Sequence, residues 1–186
     1  MAQQLNDIAM NRRMARLKLL VFDVDGVLTD GTALYSENGM AMKAFSMRDG
    51  FGFVMANFAG LELAALTGNI SGIVKSRLEA FNITRIKGGH FRKTSYFNEI
   101  LEEVGVQGEE VAYVGDDLFD IPVMKLAGMS IAPADAHPEV IEYADAVTEL
   151  PGGRGVVREV VEAIIKAKGL WEDVLMKIEN DEQGGR

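Results

Sequence analysis

The sequence predicts an α/β fold with a parallel sheet, and three observations support this prediction. Short apolar runs alternate with amphipathic helical patterns along the chain, which is the order of elements in a sheet whose strands are joined by crossover helices. The first strong run, residues 17–22, carries a single lysine and is otherwise apolar, as in a strand buried on both faces. Three of the runs end in polar residues, at the position where open α/β sheets bind ligands.

The segment after the first strand is predicted to be a β-hairpin, over about residues 32–45, rather than a crossover helix. Asn38 and Gly39 form a two-residue turn signal, and apolar side chains flank them on both sides. An isolated two-stranded hairpin is marginally stable in water. The apolar side chains of this one therefore predict that it packs against another subunit, near the end of the first strand.

The remaining elements alternate between strand and helix. Residues 3–16 are expected to form a short polar helix or a partly ordered leader, and both alternatives stay open. Further strands are expected at about 61–66, 85–87, 111–114, 130–132 and 146–148. Helices are expected at about 48–59, after the cap Ser71, at 93–104, around Ile121, from Pro138, and from Gly155 to Lys168, with Phe51, Phe53 and Phe58 in the core.

The predicted architecture is one domain over residues 1–186, with a Rossmann-like three-layer fold and the hairpin as an insertion. Residues 171–186 are expected to be a tail, with a helical turn or two at 171–178 and a disordered end. No stretch approaches the length of apolar sequence that a membrane span needs.

The composition limits the classes of function. A formal net charge of -9 argues against a nucleic-acid surface, which needs a basic field. The absence of cysteine excludes disulfides and thiolate metal sites and fits a cytoplasmic protein. Only two histidines, His90 and His137, are present, so histidine-based metal clusters are excluded. His137 is expected to be a turn and cap residue, and His90 is an exposed candidate for substrate contact.

Polar side chains at the ends of three predicted strands define one candidate site. They are Asp23 and Asp25, Thr67, and Asp116 and Asp117. Because the carboxyl ends of parallel strands lie side by side, these groups should share one pocket. Lys93, at the start of a helix, can add a cation there, with Lys87 as its nearest competitor.

These residue types indicate phosphoryl-transfer chemistry. Carboxylates without histidine or thiolate favour a hard, oxygen-seeking cation, usually Mg²⁺. A lysine and a Thr-Gly turn before a helix suit a phosphate group. A metal, a phosphate and a spare carboxylate are the groups that phosphoryl transfer requires, since it depends mainly on positioning and charge neutralisation.

The motifs resemble a known family. DVDGV at 23–27, Thr67-Gly68, Lys93 and Gly115-Asp116-Asp117 resemble, in order and spacing, the four motifs of the haloacid dehalogenase superfamily of phosphatases. The stretches RDGFG, YVGDD, ADAHPEV and GGRGVVREV are further similar to its small, capless, tetrameric subfamily. The resemblance covers nearly the whole chain. It implies an enzyme without a cap domain, a homotetramer joined through the hairpin arms, and a small phosphorylated sugar acid as substrate.

The resemblance also implies a role for each motif residue. Asp23 would be the nucleophile that forms an aspartyl-phosphate, and Asp25 the general acid and base. Mg²⁺ would be held by Asp23, by the main-chain carbonyl of Asp25 and by Asp116. Thr67 and the Gly68 N–H would bind the phosphoryl oxygens, and Lys93 would neutralise them and keep Asp23 ionised. Asp117 and Asp120 would support Lys93 and the metal ligands.

One departure from the motifs of the subfamily leaves the identity of the substrate open. The subfamily's second motif reads TGRxS, whereas this chain has TGNIS, so that Asn69 replaces an arginine. An eight-carbon sugar acid phosphate is the implied substrate, with a nine-carbon, sialic-type substrate or a broad specificity as alternatives. Arg48 is expected either to bind a substrate carboxylate or to pair with a helix-start acid, and Arg154 either to reach the site or to cap a strand.

Two other classes of function remain as alternatives. A non-catalytic oligomerisation module would have no need of the full set of motif residues. A phospho-receiver switch also uses Asp, Thr and Lys on a parallel sheet, but adjacent acids early in a shorter chain would be expected there. The complete set of motifs therefore favours the phosphatase.

Overall fold

The central sheet of the protein is parallel, as predicted. The computed structural model describes residues 3–4, 8–90 and 92–180. The strands are β1 (Gln3–Gln4), β2 (Leu19–Phe22), β3 (Leu34–Ser36), β4 (Gly39–Met42), β5 (Glu62–Thr67), β6 (Ile86–Gly88), β7 (Val111–Val114), β8 (Met129–Ala132) and β9 (Ala146–Val147). The main sheet has the order β1-β9-β8-β7-β2-β5-β6. Strand β2 pairs in parallel with both β5 and β7, so the carboxyl ends of these three strands are neighbours.

Helices cover both faces of the sheet and complete the three-layer arrangement. They are α1 (Ile8–Met14), α2 (Met47–Phe58), α3 (Gly72–Glu79), α4 (Thr94–Val104), α5 (Ile121–Met124), α6 (Pro138–Tyr143), α7 (Val156–Ala167) and α8 (Trp171–Asn180). Successive side chains of a strand point to opposite faces. In β2, Leu20 and Phe22 accordingly pack in one core with α1, α2, α3, α7 and α8. Leu19 and Val21 pack in the other core with α4, α5 and α6.

The predicted hairpin is present and stands apart from the main sheet. Strands β3 and β4 are antiparallel and form a separate two-stranded sheet. The turn is made by Glu37 and Asn38, one residue earlier than predicted, because Gly39 pairs with Ser36 and opens β4 with a positive φ of 103°. Large apolar side chains on the hairpin are exposed, including Tyr35 at 70%.

The N-terminal segment contains the short helix of the first alternative, but over a smaller range than predicted. Gln3 and Gln4 pair in parallel with β9, and the helix covers only Ile8–Met14. Met10 and Met14, one helical turn apart, are buried in the core and anchor this helix. Residues 5–7 of the predicted helix lie outside the described residues.

The prediction that Phe51 lies in the core was wrong. Phe51 is 41% exposed and lies against the Arg158 guanidinium, 5.0 Å from its ring centroid, whereas Phe53 is buried. Two residues that are two positions apart lie on nearly opposite sides of a helix, so both could not face the core. The predicted C-terminal helix is confirmed and ends at Asn180, two residues later than predicted. Its Val174 is buried, and the Lys177 ammonium donates to the Phe58 carbonyl at 2.6 Å. The predicted disordered end began at residue 180, but Asn180 is helical, and the rest of that end lies outside the described residues.

Among the described residues, none of the helices has the length and apolar character needed to cross a bilayer.

Candidate active site

We call Asp23, Lys93, Asp116 and Asp120 together the floor of the site. Asp23 is the first residue beyond β2. Its N–H donates to the Val114 carbonyl at the end of β7 at 2.9 Å, which ties the two strand ends together. Asp23 is only 1% exposed. Its Oδ1 accepts the N–H of Val24 at 2.7 Å, so the backbone orients the carboxylate. The prediction that strand ends bring polar groups together therefore holds at β2 and β7.

Lys93 is the cation of this floor. Its ammonium lies 2.7 Å from Asp23 Oδ2 and 2.7 Å from Asp120 Oδ1, and the whole side chain is buried. The Tyr113 hydroxyl donates to Asp120 Oδ1 at 2.6 Å, and the Phe119 ring lies 4.6 Å from the ammonium. Lys87, the competing lysine, instead pairs with glutamates on the outside of α4.

The floor contains more carboxylates than ammonium groups, and this excess, together with burial, shifts the pKa values of its side chains. Burial raises the pKa of Asp23 to about 7, because desolvation outweighs the attraction of Lys93. Burial lowers the pKa of Lys93, but Asp23 and Asp120 together outweigh it, so the net direction is upward. Burial, Asp23 and Asp120 raise the pKa of Asp116 to about 8. One ammonium therefore faces several carboxylates, and the site lacks positive charge.

A divalent cation fits this deficit. Carboxylate oxygens of Asp23, Asp116 and Asp120 all lie within 4.8 Å of one another. Asp116 Oδ1 is buried without a hydrogen-bond partner among the described residues. Such an oxygen is costly unless it binds a cation or a proton. Hard carboxylate ligands suit Mg²⁺ and similar ions. The cluster contains Asp120 in addition to the predicted Asp23 and Asp116.

Two glycines of the motifs let the backbone approach these carboxylates. A Cβ on Gly26, whose φ is +80°, would lie 1.9 Å from Asp116 Oδ2. A Cβ on Gly115 would lie 2.5 Å from the Cβ of Asp120. Both glycines are therefore required by the close packing of the loops after β2 and β7, not only by turn geometry.

Asp120 and Asp117 organise the loop after β7. Asp120 Oδ2 accepts the N–H groups of Asp116 and Asp117 at 3.0 and 3.2 Å. The Asp117 side chain accepts the N–H of Leu118 and caps the 3₁₀ turn 118–120. Asp120 thus contacts Lys93 as expected, whereas Asp117 is a cap and, within the described residues, forms no hydrogen bond or ion pair with Lys93.

Thr67 ends β5 beside the floor. It is buried, and its Oγ1 accepts the N–H of Asn69 at 3.3 Å. Gly88 packs so closely on Thr67 that a Cβ there would lie 1.7 Å from the Thr67 carbonyl. The side chain of Ser71 caps α3, as predicted. Gly68 and the exposed Asn69 form the turn between Thr67 and this helix.

Asp25 lies at the open side of the site. Its side chain is 39% exposed, and both of its carboxylate oxygens contact the ammonium of Lys43, at 2.6 Å for Oδ2. Lys43 follows β4 of the hairpin, and its own side chain is 1% exposed. Sequence analysis missed Lys43, since no motif spacing relates residue 43 to residue 25.

Two residues that contact Lys93 were also missed. Tyr113 and Phe119 surround the Lys93 ammonium, but both look like ordinary core residues in the sequence. The available signal was a tyrosine inside a run of buried strand residues, because a buried hydroxyl needs a hydrogen-bond partner.

The arginine candidates line a separate cavity next to the site. A cavity of about 720 Å³ is bounded by residues 44–48, residues 150–154 and Asp30, and includes both Arg48 and Arg154. Arg154 contributes to lowering the pKa of Asp30, after the hydrogen bonds from Thr32. The cavity meets the loop after β2 (residues 23–30) through the glycine turn, because the Gly153 N–H donates to the Val27 carbonyl at 3.0 Å.

The two histidines are accounted for by local contacts. His137 is the N-cap of α6, and its Nδ1 accepts the N–H of Glu139 at 3.2 Å, as predicted. Its backbone N–H donates to the Asp116 carbonyl at 2.9 Å, which fixes the loop after β7. His90 is exposed, and its Nε2 lies 2.9 Å from the Tyr96 hydroxyl.

Carboxylates at the ends of parallel strands and a buried lysine at the start of α4 suit phosphoryl-transfer chemistry, and comparison with known sequences identifies the family. Residues 62–160 match the model of the haloacid dehalogenase-like hydrolases, which is more than half of the chain. The chain belongs to this family. It is 45% identical over 157 residues to 3-deoxy-D-manno-octulosonate 8-phosphate phosphatase KdsC of Escherichia coli K12, with 84% of each chain covered.

Solved structures give the same result. The structure is similar to the 3-deoxy-D-manno-octulosonate 8-phosphate phosphatase of Moraxella catarrhalis in complex with magnesium ion, phosphate ion and KDO (TM-score 0.86, 32% identity, 90% of this chain and 97% of that one). It is also similar to the cobalt-bound form of the Haemophilus influenzae phosphatase (TM-score 0.84, 35% identity, 92% and 98%). These matches confirm the resemblance that the motifs indicated.

Proposed function

We propose that the protein hydrolyses 3-deoxy-D-manno-octulosonate 8-phosphate (KDO 8-phosphate) to KDO and phosphate, with Mg²⁺ and through an aspartyl-phosphate. Its family and its relatives make the chain a phosphatase; the substrate, the metal and the covalent mechanism are the proposal. The observation that supports it most is the buried Asp23 carboxylate, which is oriented by the Val24 N–H and held by Lys93 at the end of β2.

In the proposed first step, a carboxylate oxygen of Asp23 attacks phosphorus and the bond from phosphorus to the sugar oxygen breaks. Asp25 donates its proton to the departing alkoxide, which leaves as the sugar hydroxyl. The Thr67 hydroxyl and the Gly68 N–H bind the phosphoryl oxygens. Lys93 compensates the negative charge of Asp23 and Asp120 while the bond forms.

In the second step, water hydrolyses the aspartyl-phosphate. The Asp25 carboxylate, now ionised, takes a proton from the water as it attacks phosphorus, and Asp23 is released with free phosphate. The two aspartates suit different tasks. Asp23 is shielded from water, whereas Asp25 is open to it on one side.

Mg²⁺ would be held by Asp23, Asp116 and the main-chain carbonyl of Asp25, with Asp120 in the same carboxylate cluster. When bound, the ion supplies positive charge to the transferring phosphoryl group and favours the ionised forms of the carboxylates. The orphaned Oδ1 of Asp116 supports this assignment.

The sugar acid would extend from the floor toward the hairpin. Arg48 lines the cavity there and makes no side-chain ion pair among the described residues, so it is available for the substrate carboxylate. Asn69, in place of the subfamily arginine, favours a second candidate substrate, a nine-carbon sialic-type sugar acid phosphate. Its amide is neutral and would leave more room and less positive charge at that edge.

The exposed apolar residues of the hairpin support a homotetramer in which the arms contact neighbouring subunits. Tyr35 of the hairpin is 70% exposed, and Met47 at the start of α2 is 76% exposed. Large apolar side chains with such exposure indicate a contact with another molecule. Light scattering should give four copies per particle; a fully active monomer would contradict this part. No partner of nucleic acid or membrane type is proposed, and the cytoplasmic location stays a prediction.

Phosphate release from a panel of esters tests the proposal. The panel contains KDO 8-phosphate, a nine-carbon sugar acid 9-phosphate and a sugar phosphate without a carboxylate, each with and without Mg²⁺. Wild type should prefer KDO 8-phosphate and need Mg²⁺, and Asp23→Asn should lose at least about 10⁴-fold in kcat. Asp173→Asn, a surface aspartate of α8, is the matched control and should keep full activity.

The outcomes separate the alternatives. Preference for the nine-carbon ester would replace the substrate but keep the mechanism. Retained turnover in Asp23→Asn would overturn the mechanism. An absence of turnover by wild type on every ester would favour the non-catalytic module.

A further inference from the structure

The contact between Lys43 and Asp25 joins the hairpin to the catalytic loop. The Lys43 ammonium contacts both Asp25 oxygens, with 2.6 Å to Oδ2. Asp25 is the only acidic partner of Lys43 among the ion pairs of the described residues. The Thr29 hydroxyl is 3.5 Å from Asp25 Oδ1, at the outer limit of a hydrogen bond. Lys43 is therefore the main group that orients the Asp25 carboxylate.

The placement of Lys43 follows from the hairpin. Side chains alternate in direction along an extended segment. Met42 and Ala44 are exposed, and Lys43 between them points inward, with a side chain that is 1% exposed. The arm thus presents apolar groups to its outer side and one ammonium to the site.

Burial of this lysine argues for a role beyond surface charge pairing. Desolvation of an ammonium is costly, and a single partner that is itself 39% exposed repays only part of the cost. A carboxylate has about four acceptor positions. Lys43 contacts both oxygens, and 39% of the Asp25 side chain stays exposed, so that a leaving oxygen or a water can still approach the carboxylate.

We propose that Lys43 is the positioning residue for Asp25: it fixes the carboxylate in the orientation from which its proton reaches the leaving oxygen. This rests on the proposed function, in which Asp25 is the general acid. The hairpin would then have two tasks, subunit contact on its outer face and alignment of the acid on its inner face.

The proposal predicts a dependence on the leaving group. An alkyl phosphate releases a strongly basic alkoxide, which must be protonated as the bond breaks. p-Nitrophenyl phosphate releases a stable phenolate, which leaves without an acid. Loss of the positioning residue should therefore affect the first ester and spare the second. A residue that only stabilises the fold, the oligomer or phosphate binding would affect both equally.

The test compares kcat/KM for KDO 8-phosphate and p-nitrophenyl phosphate, because kcat/KM reports the step in which the leaving group departs. Lys43→Met should lose about 100-fold on the alkyl ester and less than about fivefold on the aryl ester. Asp25→Asn should show the same pattern. Lys43→Met in the Asp25→Asn background should cost less than about threefold more, since residues that act as one unit are not additive.

A control variant and a second variant of Lys43 accompany the test. Lys166→Met removes a lysine that pairs with Glu162 far along α7 and should change neither ester. Lys43→Gln is the second variant if Lys43→Met does not fold, and both are checked by thermal unfolding and light scattering. Equal loss on both esters, no loss on either, or additive losses in the double variant would overturn the proposal. If wild type hydrolyses neither ester, or Asp23→Asn remains active, the proposed function itself fails.

Discussion

Asp23 and Asp25 are separated by one residue, but their carboxylates lie in different surroundings. Asp23 is buried at the end of β2, in contact with Lys93, and burial raises its pKa to about 7. Asp25 is partly exposed and is held by Lys43 from the hairpin. We call the first region, Asp23, Lys93, Asp116 and Asp120, the floor, and the second, Asp25 and Lys43, the rim.

The difference indicates a division of labour. The floor is shielded from water and contains both carboxylates and an ammonium. These groups suit covalent bond formation at phosphorus. The rim is open to water on one side, which suits proton exchange with a leaving group and an incoming water. The first motif places one carboxylate in each region because the strand ends at Phe22 and the chain turns at residues 25–28.

Removing the floor's cation should have the largest effect. In Lys93→Met, the carboxylates of Asp23, Asp116 and Asp120 remain buried without an ammonium, so the free energy of unfolding at pH 8 without divalent metal should fall by about 3–5 kcal/mol. The loss should be smaller at pH 6, because Asp23 and Asp116, with pKa values of about 7 and 8, are then largely neutral. Urea unfolding at both pH values measures it.

Lys87→Met is the matched control for this prediction. Lys87 pairs with Glu99 and Glu103 at the surface, and such exposed pairs contribute at most about 1 kcal/mol. Equal destabilisation by the two variants would show that the floor is not the charged cluster described above.

The floor and Asp25 of the rim could be predicted from the sequence, whereas Lys43 of the rim could not. Asp23, Thr67 and Asp116 follow apolar runs, and parallel pairing of β2 with β5 and β7 brings such ends together whatever the details of the loops. The position of Lys43 depends on how the hairpin folds back over the site, and no periodicity in the sequence sets that angle. The same holds for the pairing of Gln3 and Gln4 with β9.

Filling the space between the loops should disturb the floor next. A Cβ in Gly26→Ala would lie 1.9 Å from Asp116 Oδ2, at a φ of +80°, and should cost about 2–4 kcal/mol in the free energy of unfolding. It should also raise the Mg²⁺ concentration for half-maximal activity by at least about tenfold, because Asp116 is displaced.

Gly31→Ala separates strain from crowding in this prediction. Gly31 has a similar φ of +76°, but nothing lies within 4 Å of its added Cβ. It should cost about 1 kcal/mol and leave the Mg²⁺ dependence unchanged. If both variants raise the Mg²⁺ requirement alike, the contact with Asp116 is not what Gly26 provides.

The smallest effect is expected at Asp49, a buried carboxyl that belongs to neither the floor nor the rim. Asp49 of α2 accepts the N–H of Arg158 at 3.0 Å and so caps α7 from another helix, and burial raises its pKa to about 6. When the pKa of a carboxyl is higher in the folded than in the unfolded protein, the folded protein loses stability as the pH rises between those two values. Wild type should therefore lose about 1–3 kcal/mol from this group between pH 4 and pH 7.

The variant Asp49→Asn isolates that contribution. Its amide oxygen can still accept the Arg158 N–H, but it does not ionise, so its stability should fall less steeply over the same pH range. Asp173→Asn, at the surface of α8, should follow the wild-type curve. Parallel curves for wild type and Asp49→Asn would contradict the assignment.

The central claim is that Asp23 forms the covalent bond and Asp25 moves the protons, and trapping the intermediate tests it most directly. The variant Asp25→Asn is mixed with p-nitrophenyl phosphate and Mg²⁺, quenched in acid, digested and analysed by mass spectrometry. The account predicts one phosphoryl group on Asp23, because the aryl ester needs no acid to react but the intermediate needs Asp25 for hydrolysis. An unmodified Asp23, with wild-type turnover retained in Asp23→Asn, would contradict it.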